Sequence, residues 1–288
     1  MTLDDVRQLY AWHIAGLISL RSERLREALS TVPRENFLGP GPWTVVGAIG
    51  GSPPKKQETP DADPMYLYGD VSVALDASRN LYNGNPGTLI AWLDALDLAE
   101  GHRVFHLGGG GGYYTAIMAH AVGAEGRVVM AEVDPELGEQ ARRNLAGTGN
   151  VDVFVGDGGA YDPGPCDAIL INAGVTHLQP MWLDRLNDGG RLLAPLTCEL
   201  PASHLGKGRM IRIVRKGPAF QASFLPMPIV IYSCTSVRDA ALGSALFQAF
   251  SAKSGSFGEV QSLRTDAHDA DATCWAHTER MCLSSLKA

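Results

Sequence analysis

Five consecutive glycines, at 108–112, separate a short apolar run (Val104-Phe105-His106-Leu107) from a segment that opens Tyr113-Tyr114-Thr115. No other feature limits the fold as sharply. Glycines between a strand and a helix let the backbone turn tightly and approach a ligand closely. The helix start then presents unpaired N–H groups and the positive end of a dipole. The flanking chain agrees with such a turn. Apolar runs at 104–107, 127–132, 151–155, 167–172 and 191–195 alternate with helical patterns at 113–122, 136–145 and 180–186. That rhythm predicts β-α-β units and a parallel sheet with five strands in this stretch.

Outside this stretch the pattern changes. Val6, Leu9, Tyr10, His13, Leu17, Leu20, Leu25 and Leu29 fall near one helical face over 3–30, with Thr2 and Asp5 as a capping box and Pro33 as the stop. Residues 39–64 are rich in glycine and proline and are expected to form a long loop or lid carrying Trp43, free to stack on a substrate. A short helix at 89–98 is introduced by Pro86 and Gly87. Trp92 and Trp182, on helices, are expected in the core. After Pro195, strands are expected at 210–214, 229–234 and 259–265 and a helix at 237–251. A closing hairpin is expected from Cys274-Trp275-Ala276 and Met281-Cys282-Leu283. The domain expectation is therefore 1–85 as an N-terminal helix and lid or substrate segment, 86–197 as the ligand-binding core, and 198–288 as a β-rich extension. The extension either completes the sheet, covers the site or forms a dimer contact.

Composition narrows the function. The 288 residues include 31 acidic and 24 basic side chains, a formal charge of −7, which disfavours a generic nucleic-acid binder. No apolar run is long enough to span a bilayer, and the N-terminus lacks the layout of a secretory signal. The five cysteines are scattered, odd in number and without a C-x-x-C pair, so neither a disulfide framework nor a zinc knuckle is expected. A reducing cytoplasm is the simplest compartment. No His/Cys/Asp cluster shows metal-ligand spacing, and no metal is expected.

Three ligand classes use a glycine turn of this kind. A mononucleotide P-loop needs Lys-Ser/Thr at its end, where this chain has Tyr113-Tyr114. A dinucleotide turn needs a small residue three places after its second glycine; Tyr113, Tyr114 and Thr115 fill that place in the three registers. The third class is G-x-G-x-G, the turn that supports the methionine part of S-adenosylmethionine. The strand ends supply further groups in order. Glu132 closes the second strand, 20 positions after Gly112, where a carboxylate accepts hydrogen bonds from ribose hydroxyls. Gly156-Asp157-Gly158 follows the third strand, with Asp157 placed for the exocyclic amine of adenine. Asn172 ends the fourth, beside the position where a substrate meets the sulfonium.

With these residues in view, the chain resembles the class I S-adenosylmethionine-dependent methyltransferases and, within them, the protein-L-isoaspartate O-methyltransferase branch. The resemblance covers roughly 31–197. It rests on Val32-Pro33-Arg34-Glu35-Asn36-Phe37, Tyr68-Gly69-Asp70, the run 107–113, Glu132, Gly156-Asp157-Gly158, and Gly189-Gly190-Arg191-Leu192 with Pro195. It implies an α/β, Rossmann-like fold with a parallel-dominated sheet. It also implies S-adenosylmethionine as cofactor and S-adenosylhomocysteine as product, with Gly108, Gly110, Gly112, Glu132, Asp157 and Gly158 as cofactor-binding residues. Val133, His106, Tyr113 and Asn172 complete the expected cofactor set. Two departures stand out. The family's hydroxyl residue two places before a proline, which supports isoaspartyl methylation, is replaced by Gly84 in Tyr82-Asn83-Gly84-Asn85-Pro86. An acidic residue two before the first glycine is replaced by His106.

The candidate catalytic residues are Asn85, His106, Asn172 and His177. His106 reads either as a general base or proton carrier or as a buried imidazole beside the cofactor. Asn83 and Asn85 either orient a carboxylate or amine or simply make a turn. One of Tyr113 and Tyr114 packs over the cofactor or closes the site. His177, after Ala173-Gly174-Val175-Thr176, is expected solvated, with acceptor chemistry as the alternative. The reading is a methyltransferase for a small-molecule or peptide carboxylate, hydroxyl or amine, distinct from authentic isoaspartate repair, and a possible homodimer. Two alternatives stay open: an enzyme that cyclises or cleaves the methionyl moiety and releases methylthioadenosine, and a non-catalytic S-adenosylmethionine-binding protein.

Overall fold

A computed structural model describes residues 1–49, 55–200 and 203–288. In chain order the helices are α1 Leu3–Ile18, α2 Glu23–Thr31, α3 Pro86–Leu96, α4 Tyr113–Val122, α5 Pro135–Asn144, α6 Pro180–Arg185 and α7 Ala240–Ala252. The strands are β1 Thr44–Gly47, β2 Lys55–Glu58, β3 Ser72–Asp76, β4 Leu81–Tyr82, β5 Arg103–Leu107, β6 Arg127–Glu132, β7 Val151–Val155, β8 Cys166–Ile171, β9 Leu186–Glu199, β10 Leu205–Lys216, β11 Ala219–Tyr232, β12 Ser262–Arg264, β13 Cys274–His277 and β14 Cys282–Ser284. The chain divides into two compact units, one of residues 1–102 with 109–156 and the other of 103–108 with 157–288. Among the described residues no helix is long and apolar enough to cross a membrane.

In the first unit the single helix expected over 3–30 is two. Thr2 and Asp5 form the capping box that starts α1. Ser19 then adopts a left-handed conformation (φ 53°) and ends it. Asp94 of α3 holds the break by accepting from Ser22 N (3.0 Å) and Arg21 Nε (2.9 Å), and the Ser22 side chain caps α2. The expected lid is instead a small antiparallel sheet in the order β2-β1-β3-β4. Its core is Leu38, Trp43, Val45, Leu67, Val71 and Val73. Trp43 is 5% exposed and donates Nε1–H to the Gly39 carbonyl (3.1 Å), so the expectation that it stacks on a substrate is corrected. Residues 50–54 of the expected lid lie outside the described residues.

A buried guanidinium ties this layer together. Arg34 is fully buried and donates to the carbonyls of Leu67 (2.6 Å), Val71 (2.8 Å), Gly84 (3.3 Å) and Gly69 (3.4 Å). Only arginine offers so many donors in one plane. Arg34 N also donates to Tyr68 Oη (3.1 Å), and Tyr68 Oη–H donates to Glu35. The Pro-Arg-x-x-Phe and Tyr-x-Asp segments are thus two halves of one scaffold. The parallel pair β6–β7 and helices α4 and α5 complete the unit.

In the second unit β5, β8 and β9 run parallel, with Val104 to Leu107 opposite Ala168 to Ile171. β9, β10, β11, β12, β14 and β13 then follow in antiparallel order. The strand expected at 191–195 is much longer, because β10 pairs with it from Arg191 to Glu199. The C-terminal strands, α7 and the closing hairpin all form, so residues 198–288 extend the antiparallel side of this unit's sheet.

Candidate functional site

The glycine turn is fixed by sterics at every position. Gly108, Gly110 and Gly112 are left-handed (φ 79°, 55° and 94°), which alternates as the G-x-G-x-G reading requires. A Cβ at 109 would lie 2.6 Å from the Met130 side chain, and one at 111 would lie 2.8 Å from the Phe37 carbonyl oxygen. The x positions are therefore glycine because neighbours crowd them.

In the first unit Glu132, 7% exposed, holds this turn from the end of β6. Its Oε2 accepts from Gly110 N (2.8 Å) and its Oε1 from Asp134 N (3.0 Å). Burial pushes its carboxyl above the usual range, against the pull of these N–H groups. Each oxygen keeps a further lone pair for a ligand hydroxyl. Val133, next in the chain, is 55% exposed, an apolar side chain left uncovered beside a buried acid. A cradle of glycines, a carboxylate with acceptor capacity and an exposed apolar side chain fit a ligand with a ribose and a flat base.

Tyr113 and Tyr114 point elsewhere. Tyr113 is fully buried, with Oη 3.3 Å from Tyr10 Oη and its ring against Phe37. Tyr114 Oη–H donates to the Gly84 carbonyl (3.0 Å). The expectation that one ring covers the cofactor is corrected: both face the helical layer, and Tyr113 offers the site only its backbone. Asn85 donates Nδ2–H to both carboxylate oxygens of Asp70 (3.2 and 3.1 Å), and Asp70 Oδ1 also accepts from Gly87 N (2.6 Å) at the start of α3. Its amide thus braces the helix start. Gly84 is left-handed (φ 77°), and a Cβ there would lie 2.8 Å from Leu89 Cδ2. Asn83 is buried, and its Oδ1 has no hydrogen-bond partner.

In the second unit His106 lies on β5 opposite Leu170 of β8 and is fully buried. Burial lowers its pKa to about 3, so the imidazole is neutral at physiological pH. Its full burial accords with the buried-imidazole side of the expectation. Asn172, just past β8, donates its backbone N–H to the Leu107 carbonyl (2.8 Å) and Nδ2–H to the Gly108 carbonyl (3.1 Å). It anchors the strand end and the first glycine. Asp157 Oδ1 accepts from Gly159 N (2.9 Å) and Ser236 Oγ (2.7 Å), and Gly158 is buried. Ser236 was not legible as a site residue, because 79 positions separate it from its partner.

His177 is 2% exposed, which overturns its expected solvation. Arg280 Nη1 donates to its Nε2 (3.0 Å), which leaves Nδ1–H to donate to Thr176 Oγ1 (3.1 Å). Burial first and Arg280 second hold its pKa below the ordinary value. The imidazole fastens the C-terminal segment and has no free lone pair for acceptor chemistry. The second unit also brings together four donor side chains that sequence spacing did not single out. One donor atom each from His268, Cys274, His277 and Cys282 lie within 4.8 Å of one another. The run His-x5-Cys-x2-His-x4-Cys was the available signal.

The chain matches a family model described as protein-L-isoaspartate(D-aspartate) O-methyltransferase over residues 56–210. It is 32% identical over 200 residues to protein-L-isoaspartate O-methyltransferase 1 of Archaeoglobus fulgidus, covering 68% of this chain and 82% of that one. It is 33% identical over 187 residues to the protein-L-isoaspartate O-methyltransferase of Methanothrix thermoacetophila, covering 64% and 78%. A solved structure titled protein-L-isoaspartate O-methyltransferase superposes with a TM-score of 0.63 at 24% identity, over 85% of this chain and 69% of that one. The α/β, Rossmann-like class I methyltransferase architecture follows from that likeness.

Proposed function

This chain belongs to the protein-L-isoaspartate(D-aspartate) O-methyltransferase family, and we propose that within it the protein methylates a peptide carboxylate other than the isoaspartyl group. It is an S-adenosylmethionine-dependent methyltransferase. When bound, the cofactor supplies a methyl group already activated by the positive charge on sulfur. The residues that would hold it are Gly110, Gly112, the Tyr113 backbone, Glu132 and Val133 in the first unit. The family resemblance alone adds Gly108, Asp157, Gly158 and Asn172 of the second unit. Glu132 keeps one acceptor on Gly110 while its remaining lone pairs take ribose hydroxyls. Orientation and water exclusion are the protein's main contributions to such a displacement.

The observation that carries the proposal is the backbone at position 84. The family's hydroxyl residue has no counterpart there, and the left-handed φ of 77° would strain any residue with a Cβ, which would also have to displace the tip of Leu89. The carboxylate assignment draws support from the two imidazoles. His106 is buried with its pKa lowered to about 3, which makes it a weak proton acceptor, and both nitrogens of His177 are engaged in hydrogen bonds. A carboxylate with a pKa of about 4 needs no deprotonation at neutral pH.

The test is methyl transfer from labelled S-adenosylmethionine to paired peptides that differ only in aspartyl or isoaspartyl linkage, read as base-labile label. The expected result is base-labile label on an aspartyl, glutamyl or C-terminal carboxylate, with the isoaspartyl peptide no better than its control. Preferential labelling of the isoaspartyl peptide would overturn the proposal.

A further inference from the structure

The closing hairpin of the second unit gathers four side chains that the methyltransferase reading does not use. We propose that His268, Cys274, His277 and Cys282 form a structural zinc site that staples the C-terminal hairpin.

The strand register explains how the four meet. His277 and Cys282 are direct cross-strand partners in the antiparallel β13–β14 pair, so their side chains share a face. In a regular strand Cys274, three residues before His277, would point to the opposite face. The register shifts between Cys274 and Ala276, and this bulge brings Cys274 onto the face of His277. Trp275 turns away and packs with Phe224, Phe250 and Phe257. His268 comes from the preceding loop.

The donor geometry fits one ion. The four atoms lie within 4.8 Å of one another, and His268 Nε2 is 3.7 Å from Cys274 Sγ. Tetrahedral zinc, with its ordinary bond lengths to sulfur and nitrogen, places those two atoms about 3.6 Å apart. His268 Nδ1–H donates to the Asp266 carbonyl (2.9 Å), which fixes the tautomer and leaves the Nε2 lone pair facing the cluster. A carbonyl on the remote nitrogen is the usual support of a metal-bound imidazole. His277 Nδ1 is buried with no hydrogen-bond partner among the described residues, a costly arrangement unless something accepts its lone pair. Asp271 N–H points at Cys274 Sγ (3.4 Å), while Asp271 Oδ1 lies 3.5 Å from the same sulfur and would turn away as a thiolate forms.

Two thiolates and two neutral imidazoles balance the charge of Zn2+ and fill its four positions. A closed set is structural, not catalytic. The location needs such a staple: β13 and β14 are four and three residues long, and the loop that leads into them has no regular structure.

The test uses the full-length chain, freed of any affinity tag, purified under reductant with zinc chloride and dialysed. Plasma mass spectrometry should find one zinc per chain, and Cys282→Ser and His277→Ala should each lose it. Cobalt(II) in place of zinc should give the visible bands of a tetrahedral site together with sulfur-to-cobalt charge transfer, and this readout does not depend on the variants folding. Chelation should expose two further thiols to alkylation and speed tryptic cleavage after Arg264 and Arg280. Absence of zinc and of the cobalt spectrum would overturn the proposal, as would full zinc retention by a Cys274→Ser/Cys282→Ser double variant. A Cys274–Cys282 disulfide in the reduced preparation would also overturn it. None of these readouts uses methyl transfer, so the proposal stands or falls separately from the assignment of the acceptor.

Discussion

The glycine turn and the C-terminal hairpin each converge polar groups on a small volume, but by opposite routes. At the turn, five consecutive residues do most of the work, and one of the distant groups that hold them is a carboxylate 22 positions away from Gly110. In the hairpin region the partners come together through cross-strand register, a bulge and a contact that spans 103 positions from His177 to Arg280. Local geometry leaves a motif in the chain. Register leaves only residue types at irregular spacing. A cluster of the second kind can converge on a small volume while its spacing matches no template.

The strongest test of this contrast lies on β5, just before the turn. His106 titrates near 6.5 when unfolded and at about 3 in the folded chain, so below pH 6.5 the unfolded state binds the extra proton. The stability it contributes is fully present above pH 6.5 and is lost as pH falls toward 3. The full loss is on the order of 4–5 kcal/mol. Urea unfolding between pH 7 and 4 should show a steeper decline for the wild type than for His106→Asn. Parallel slopes would show that the strand before the turn is not packed as described.

A smaller effect is expected at the turn itself. Glu132→Ala removes a charge-assisted acceptor from Gly110 N and any hydroxyl bonds, about 1.5–3 kcal/mol, or roughly 10- to 150-fold in affinity. Calorimetry with S-adenosylhomocysteine should register this loss while zinc content stays constant. Unchanged affinity would remove Glu132 from the site. The smallest effect belongs to the long-range contact. Arg280→Ala should raise the His177 pKa toward the ordinary value by removing one of three lowering influences, with burial and Arg238 left in place. An NMR titration of the imidazole reads it, and S-adenosylhomocysteine affinity should not move.

Legibility followed the same division. The alternation of strands and helices from 103 to 195, the glycine turn and Glu132 were all readable, because side-chain period and backbone sterics act within a few residues. Trp43 and residues 39–64 were misread: glycine and proline content suggested a loop, but Val45, Val71 and Val73 supply enough apolar surface for a small sheet. The break after α1 was hidden because an apolar face continues in register past Ser19, while the interaction that stops the helix comes from Asp94. His177 looked solvated because Arg280 lies at the far end of the chain.

The fan of bonds from Arg34 has a kinetic consequence. One guanidinium grips carbonyls at Leu67, Gly69, Val71 and Gly84, so no single loop in that stretch can lift away without unsettling the others. Amides from 67 to 84 should therefore exchange with solvent in one shared opening event, and local breathing of the small sheet is coupled to the approach into α3.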